Sequence, residues 1–198
     1  LLTGQYPFRH GWTTHYDVPR QGGGGLRPDR FTTFARVLRD NGYSTVIGGK
    51  WQVNHLGKQP NVLKEHGFDE HCVWPGAEAG KPETETRYWK GFLQANGRRG
   101  TTAYAPDSIN EYLIHFIQRH KDRPFLVYYP MLLAQDPHTF TPLNREKKPE
   151  GKTALYAGNV TYADHLVGRL VAVVDKLGLK DKTMIVFTGG NGSAVSGS

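Results

Sequence analysis

Three short apolar runs constrain the fold of this chain more than any other feature. Residues 44–48, 125–129 and 183–188 are rich in β-branched and aromatic side chains, as buried strands are. Runs of this kind suit a sheet that is covered on both faces. Because helical patterns lie between them, the sequence predicts an α/β fold with a mainly parallel sheet flanked by helices. Ligand-binding groups are then expected at the carboxyl ends of the strands.

The clearest helical pattern covers residues 155–177 and stops at Gly178. Its predicted buried stripe recurs at spacings of three and four: Val160, Ala163, Val167, Leu170, Val174 and Leu177. A second helix is predicted over residues 31–41. A third is predicted to begin after Asp107 or Ser108 as the cap residue and to bury Tyr112, Leu113, Phe116 and Ile117.

The charge balance favours acidic partners. The chain has 25 Lys and Arg against 18 Asp and Glu, a formal net charge of +7. This excess suits sulfated or phosphorylated substrates or anionic polymers, and a solvated basic surface explains it equally well. The basic residues are spread along the chain, so we do not expect a nucleic-acid partner. No apolar stretch approaches the roughly 20 residues that a membrane-spanning helix needs.

The length of 198 residues fits one domain or part of a larger one. Residues 22–25 and 75–102 are polar and glycine-rich, and we interpret them as surface excursions. Neither has the character of a linker between independent domains. The single cysteine, Cys72, rules out an internal disulfide bond and a zinc site built from thiolates.

Polar side chains follow each predicted strand. Lys50 comes after two glycines and could offer a positive charge to an anion, although a surface lysine after a turn gives the same pattern. Gln135 and His138 follow the second strand, where an imidazole could act as acid or base near neutral pH or simply be exposed. Asn191 follows the last strand, and its amide oxygen suits either a hard cation such as calcium or an Asn-Gly turn.

Five segments, in chain order, resemble the formylglycine-dependent sulfatases of the arylsulfatase family. Residues 1–11 resemble the end of the nucleophile signature, and residues 42–51 resemble a second signature around Gly-Lys-Trp. Residues 124–129 resemble the strand before the active-site histidine. Residues 162–170 resemble a long late helix, and residues 183–191 resemble the strand before an Asp-Asn metal pair. Since they span nearly the whole chain, the resemblance identifies residues 1–198 as a partial sulfatase catalytic domain.

The resemblance implies an alkaline-phosphatase-like fold, a formylglycine hydrate that attacks sulfur, and a calcium ion that grips the sulfate oxygens. It also implies that Lys50 neutralises sulfate charge, that Asn191 helps hold calcium, and that a histidine after the second strand assists the leaving alcohol. A dense anion with developing charge calls for such groups. The implied substrate is a sulfated small molecule or polysaccharide, and the implied compartment is periplasmic, extracellular or lysosomal. The family nucleophile would precede Leu1, so we expect the 198-residue chain alone to be inactive.

The chain departs from the family pattern at several polar positions. Gln52 stands where the family usually has histidine, and the next histidine, His55, comes three residues later. Gly190 replaces the aspartate of the metal pair. An ungapped count places Gln135 at the family's active-site histidine, whereas three extra residues in the turn would bring His138 there. We favour His138 slightly.

Three functions remain open at the level of sequence. The first is a fragment of a sulfatase, a sulfuric ester hydrolase. The second is a sulfatase-like protein that has lost catalysis and binds sulfated glycans, which Gln135 and Gly190 favour. The third keeps the superfamily but takes a phosphate or phosphonate ester, because these are also tetrahedral anions.

Overall fold

A computed structural model describes the chain over residues 1–12, 24–80, 86–147 and 149–190. The chain divides into two compact units, Leu1–Pro130 and Met131–Ser198. The first contains a five-stranded sheet, and the second is dominated by one long helix. Among the described helices, none combines the length and apolar character needed to cross a membrane.

The sheet of the first unit has the strand order β4-β3-β2-β1-β5. The strands are β1 Ser44–Lys50, β2 Glu70–Trp74, β3 Phe92–Ala95, β4 Arg98–Thr101 and β5 Phe125–Tyr128. β1 runs parallel to β2 and to β5, while β3 is antiparallel to both β2 and β4. Since β3 alone of the described strands runs against the others, the predicted mainly parallel α/β fold is confirmed.

The helices of the first unit are α1 Pro7–His10, α2 Phe34–Asp40, α3 Val62–Glu65 and α4 Ala105–His120. The predicted helix over residues 31–41 is shorter than expected because Thr33 is its N-cap, accepting a hydrogen bond from the Arg36 N–H. The third predicted helix begins earlier than expected, with Tyr104 as N-cap. Pro106 fits its first turn, where the missing N–H costs nothing.

Helices cover both faces of the sheet. On one face, Ile47 and Val73 of the sheet pack with Trp51 and Phe68 and with the short helices α2 and α3. On the other face, α4 packs so closely on β1 that a Cβ added at Gly48 would lie 2.8 Å from Leu113 Cδ2. The apolar run at the start of β1 is therefore buried from both sides, as its sequence predicted.

The interpretation of residues 75–102 as a surface excursion is wrong in part, because this segment contains β3 and β4. Both strands are short and carry polar residues, so they lack the apolar run by which the other strands were recognised. A signal was nevertheless present in the dipeptide between them. Asn96 and Gly97 have φ values of 44° and 82°, as a two-residue hairpin turn requires, and Asn-Gly is the strongest short-range hairpin signal.

The second unit contains the helix α5, Lys152–Lys176. It ends as predicted at Gly178, whose φ is 67°. The predicted stripe is only partly correct: Val174 is buried, whereas Val160 is 45% exposed. The buried positions in the first half are Asn159, Tyr162 and Leu166, so the helix is turned by about one position relative to the prediction.

The predicted strand at residues 183–188 is wrong for this structure. Met184, Val186 and Phe187 are 88%, 75% and 77% exposed, and no described strand pairs with this segment. The physical reason is that a strand needs a neighbour for its backbone hydrogen bonds, and an apolar pattern does not supply one.

Candidate active site

Lys50 is the last residue of β1 and lies half-buried at the carboxyl end of the sheet. Its N–H donates a 2.7 Å hydrogen bond to the carbonyl of Pro130, which follows β5. The preceding Gly49 has a φ of 128°, and a Cβ there would lie 2.0 Å from the Pro130 oxygen. Glycine is therefore required at this position, and the backbone that presents Lys50 is held by two neighbouring strands.

The carboxyl end of β2 brings an arginine close to the same edge. Lys50 is in register with Trp74 of β2, and the Trp51 N–H donates to the Trp74 carbonyl at 3.0 Å. The guanidinium of Arg87 lies 4.8 Å from the centre of the Trp74 ring, a cation–π distance, and Arg87 is buried. Arg87 was missed by the sequence analysis because its burial against Trp74 distinguishes it from other basic residues, and no local pattern signals that burial.

The segment after β1 is held by a buried polar cluster. Asn54 donates to the Leu26 carbonyl at 2.9 Å, and its side-chain oxygen lies 3.2 Å from His66 Nε2. Burial lowers the pKa of His66 to about 4, so this imidazole is neutral at pH 7. His66 also packs against Trp51, with 5.7 Å between the ring centres. Its role here is to support the segment that follows Lys50.

The two other site residues predicted after β1 have different environments. Gln52 is buried, with 4% of its surface exposed, and can form hydrogen bonds but cannot carry a proton. His55 is half-buried, and its Nδ1 accepts a 3.2 Å hydrogen bond from the Lys58 N–H. The same nitrogen lies 3.5 Å from Glu78 Oε2. Glu78 is a second residue that the sequence analysis missed.

Gln135 and His138 belong to the second unit, in the segment between Met131 and α5. The His138 ring lies 5.1 Å from that of Tyr156, and Asp136 forms a 3.3 Å ion pair with Lys152. Burial lowers the pKa of His138, Asp136 opposes this effect, and Lys152 adds to it. Gln135 is half-buried. Which of Gln135 and His138 faces Lys50 stays a prediction.

The predicted metal ligand, Asn191, lies outside the described residues. Within the described ranges, no three His, Cys, Asp or Glu side chains form a group that could hold a metal ion. Gly190 contributes no side chain to such a group. The described residues therefore do not by themselves fit a calcium site.

The comparisons with known proteins agree with the sequence motifs. The family model described as Sulfatase matches residues 1–198, and the chain belongs to the sulfatase family. N-acetylgalactosamine-6-sulfatase of Canis lupus familiaris is 26% identical in an alignment of 221 positions that covers 98% of this chain and 40% of that protein. The chain thus spans less than half the length of this relative.

Two solved structures share the fold. Ps i-CgsB in complex with k-i-k-neocarrahexaose aligns with a TM-score of 0.68 and 23% identity, over 90% of this chain and 43% of that chain. A second structure, BT4656, was determined in complex with its substrate D-glucosamine-2-N,6-O-disulfate. It aligns with a TM-score of 0.54 and 23% identity, over 76% of this chain and 28% of that chain. At these identities the likeness establishes the fold, the alkaline-phosphatase-like arrangement that the resemblance implied.

Proposed function

We propose that the full-length protein containing this chain is a sulfuric ester hydrolase that acts on a sulfated carbohydrate or a sulfated small molecule. The proposal is supported by family membership over residues 1–198 and by the sulfated sugar named in a relative. The excess of basic over acidic residues suits an anionic substrate. The 198-residue chain alone is expected to be inactive.

The observation that carries this proposal is the position of Lys50. A lysine at the end of a central parallel strand lies where open α/β sheets bind their ligands, and the hydrogen bond from its N–H to the Pro130 carbonyl holds its backbone. We assign Lys50 the role of a point charge on the sulfate oxygens. Gln52 would donate a hydrogen bond to the same anion, and His55 would exchange a proton only if its ring reaches the ester.

The acid that assists the leaving alcohol is assigned to the segment after β5. His138 is the candidate with the right chemistry, because a protonated imidazole can donate its proton to the leaving alcohol and take one up again afterwards. Gln135 can only hydrogen-bond to the substrate. We retain the preference for His138 as part of the proposal.

Calcium is proposed for the full-length protein, with Asn191 as one of its ligands. Calcium takes about six to eight oxygen ligands, so residues outside this chain would have to supply most of them. Replacing Gly190 by aspartate in the full-length protein should restore a carboxylate and tighten calcium binding, as measured by titration calorimetry. An unchanged affinity would mean that the metal loop is misplaced.

The activity is tested by sulfate release from the full-length protein, using an aryl sulfate and a panel of sulfated monosaccharides. We expect release from at least one substrate, with Lys50→Ala lowering kcat/KM by about 100-fold or more through the lost electrostatic stabilisation. Lys58→Ala is a matched control, because Lys58 is an exposed lysine close by in the sequence, and it should change kcat/KM by less than about twofold. Equal effects of the two substitutions would overturn the role of Lys50.

A second function is favoured by Gly190, at the position of the family's aspartate, and by Gln135, which the ungapped count places at the family's histidine. A protein with these replacements could bind sulfated glycans without cleaving them. Tight binding of a sulfated saccharide by the full-length protein, with no release of sulfate over a long incubation, would favour this function over hydrolysis.

A further inference from the structure

A buried carboxylate joins three segments near the end of β1. Glu78 belongs to the 3₁₀ turn Gly76–Ala79, which follows β2, and its side chain is only 2% exposed. It accepts hydrogen bonds from the N–H groups of Leu56 and of Gly57, the latter at 2.8 Å. It also accepts one from the Arg99 guanidinium at 2.9 Å.

The buried carboxylate of Glu78 has both hydrogen-bond donors and a counter-charge. Burying an isolated carboxylate is costly, and the cost is offset only by hydrogen bonds and a counter-charge. Here two backbone N–H groups and one guanidinium supply both, and Arg99 is itself fixed by a 3.0 Å hydrogen bond to Gln94 Oε1 on β3. The carboxylate is thus tied to the sheet on one side and to the segment after β1 on the other.

The packing at Gly57 leaves little freedom for this segment. A Cβ added at Gly57 would lie 3.0 Å from His55 Cε1, 3.2 Å from Glu78 Oε2 and 3.3 Å from Arg99 Nη2. At the other end, Lys50 and Trp51 are hydrogen-bonded to Pro130 and Trp74. The segment that carries Gln52 and His55 is therefore held at both ends, by the sheet at residue 51 and by Glu78 at residues 56 and 57.

We infer that Glu78 is a positioning residue for the sulfate site: its carboxylate fixes residues 51–57 and so sets the places of Gln52 and His55 beside Lys50. This inference rests on the proposed function, because it assigns residues 51–57 to the substrate site. Glu78 is assigned no contact with the substrate and acts through the segment that it anchors. A displacement of about 1 Å in groups that contact the substrate can cost up to about 100-fold in rate.

The test uses Glu78→Gln in the full-length protein. Glutamine keeps the shape but replaces one oxygen by an NH₂ group, which cannot accept the N–H of Leu56 or Gly57 and would oppose the Arg99 guanidinium. We expect faster amide hydrogen exchange at Leu56 and Gly57, together with a loss of about 10-fold or more in kcat/KM for sulfate release. Glu78→Asp, which keeps both oxygens on a shorter side chain, should recover part of both effects.

Two controls separate positioning from general stability. Glu111→Gln makes the same chemical change on α4, at a side chain that is 46% exposed, and should leave both readouts unchanged. Ile117→Val lowers stability at a buried residue of α4, away from residues 51–57. If it lowers Tm as much as Glu78→Gln does, kcat/KM should still be unchanged. If Glu78→Gln does not fold, Arg99→Gln removes the counter-charge while leaving both backbone hydrogen bonds. Amide exchange at Leu56 and Gly57 should then rise, and kcat/KM should fall, by smaller factors than expected for Glu78→Gln.

The outcomes are distinguishable. Unchanged exchange at Leu56 and Gly57 in Glu78→Gln would overturn the anchoring itself. Faster exchange with unchanged kcat/KM would overturn the positioning role and leave Glu78 as a structural residue. If the unsubstituted protein neither releases nor binds sulfate, the proposed function fails and the positioning role fails with it, whereas the exchange measurement still decides the anchoring.

Discussion

The carboxyl end of β1 and the segment at residues 183–188 have similar apolar sequences leading into glycines, yet they end in opposite environments. At the first, Ile47 is completely buried, and a Cβ added at Gly49 would lie 2.0 Å from the Pro130 oxygen. At the second, Phe187 is 77% exposed, and a Cβ added at Gly189 or Gly190 would meet nothing within 4 Å. An apolar run therefore marks a possible strand, while its neighbours decide whether it becomes one.

The largest expected effect on the free energy of unfolding comes from Gly49→Ala, at the carboxyl end of β1. The new Cβ would clash with a backbone carbonyl, and the alanine would have to adopt a φ that L-residues avoid. The free energy of unfolding should therefore fall by about 3 kcal/mol or more. Urea unfolding of the 198-residue chain measures this. Gly168→Ala in α5 is the matched control: nothing lies within 4 Å of its added Cβ, and helix propensity predicts a gain of roughly 0.5–1 kcal/mol. Similar losses for both would contradict the account of Gly49.

Lowering the pH is expected to reduce the free energy of unfolding by a comparable amount. The pKa of His66 falls from about 6.5 in the unfolded chain to about 4 in the folded one, mainly because of burial. As the pH falls below about 6.5 the unfolded chain binds the proton first, so stability is complete above that pH and declines towards pH 4, by up to roughly 3 kcal/mol.

Urea unfolding curves recorded between pH 7.5 and 4 measure this decline, because this range includes the unfolded and folded pKa values of His66. His66→Gln, which can still donate to Asn54, should flatten the curve. His71, whose pKa burial also lowers to about 4, should leave a residual slope. A slope unchanged in His66→Gln would show that His66 does not cause it.

In the second unit, Asn159→Ala should have an intermediate effect. Asn159 is fully buried in α5, and its amide donates to the Thr139 and Leu155 carbonyls, so it holds the segment that carries His138. Removing a buried amide that serves two acceptors should cost about 1–3 kcal/mol, measurable by urea unfolding. A loss below about 0.5 kcal/mol would mean that this segment is held by other contacts.

The smallest effect is expected for the exposed residues 183–188. Phe187→Ser in the 198-residue chain should change the free energy of unfolding by less than about 0.5 kcal/mol, because an exposed side chain has little packing to lose. Ile47→Ala is the contrasting variant in β1 and should cost roughly 2–5 kcal/mol. A large loss in Phe187→Ser would show that residues 183–188 pack as a strand after all.

Local patterns in the sequence predicted much of the fold. The runs that became β1 and β5 and the helices α2, α4 and α5 are signalled by periodicity and by capping residues, which act over a few residues. β2, β3 and β4 were missed because they are short or polar, although Asn96-Gly97 marked the hairpin. The position of Lys50 followed from the end of an apolar run. Glu78 and Arg87 could not be predicted, because what distinguishes them is contact with residues distant in the sequence.

We propose that the carboxyl end of β1 holds the sulfate group, and a crystal structure of the full-length protein soaked with a sulfated substrate analogue would locate that group. We expect a sulfate oxygen at about 3 Å from Lys50 Nζ. The same map would show whether His138 or Gln135 completes the site. A sulfate group bound elsewhere, with Lys50 turned away from it, would contradict the account.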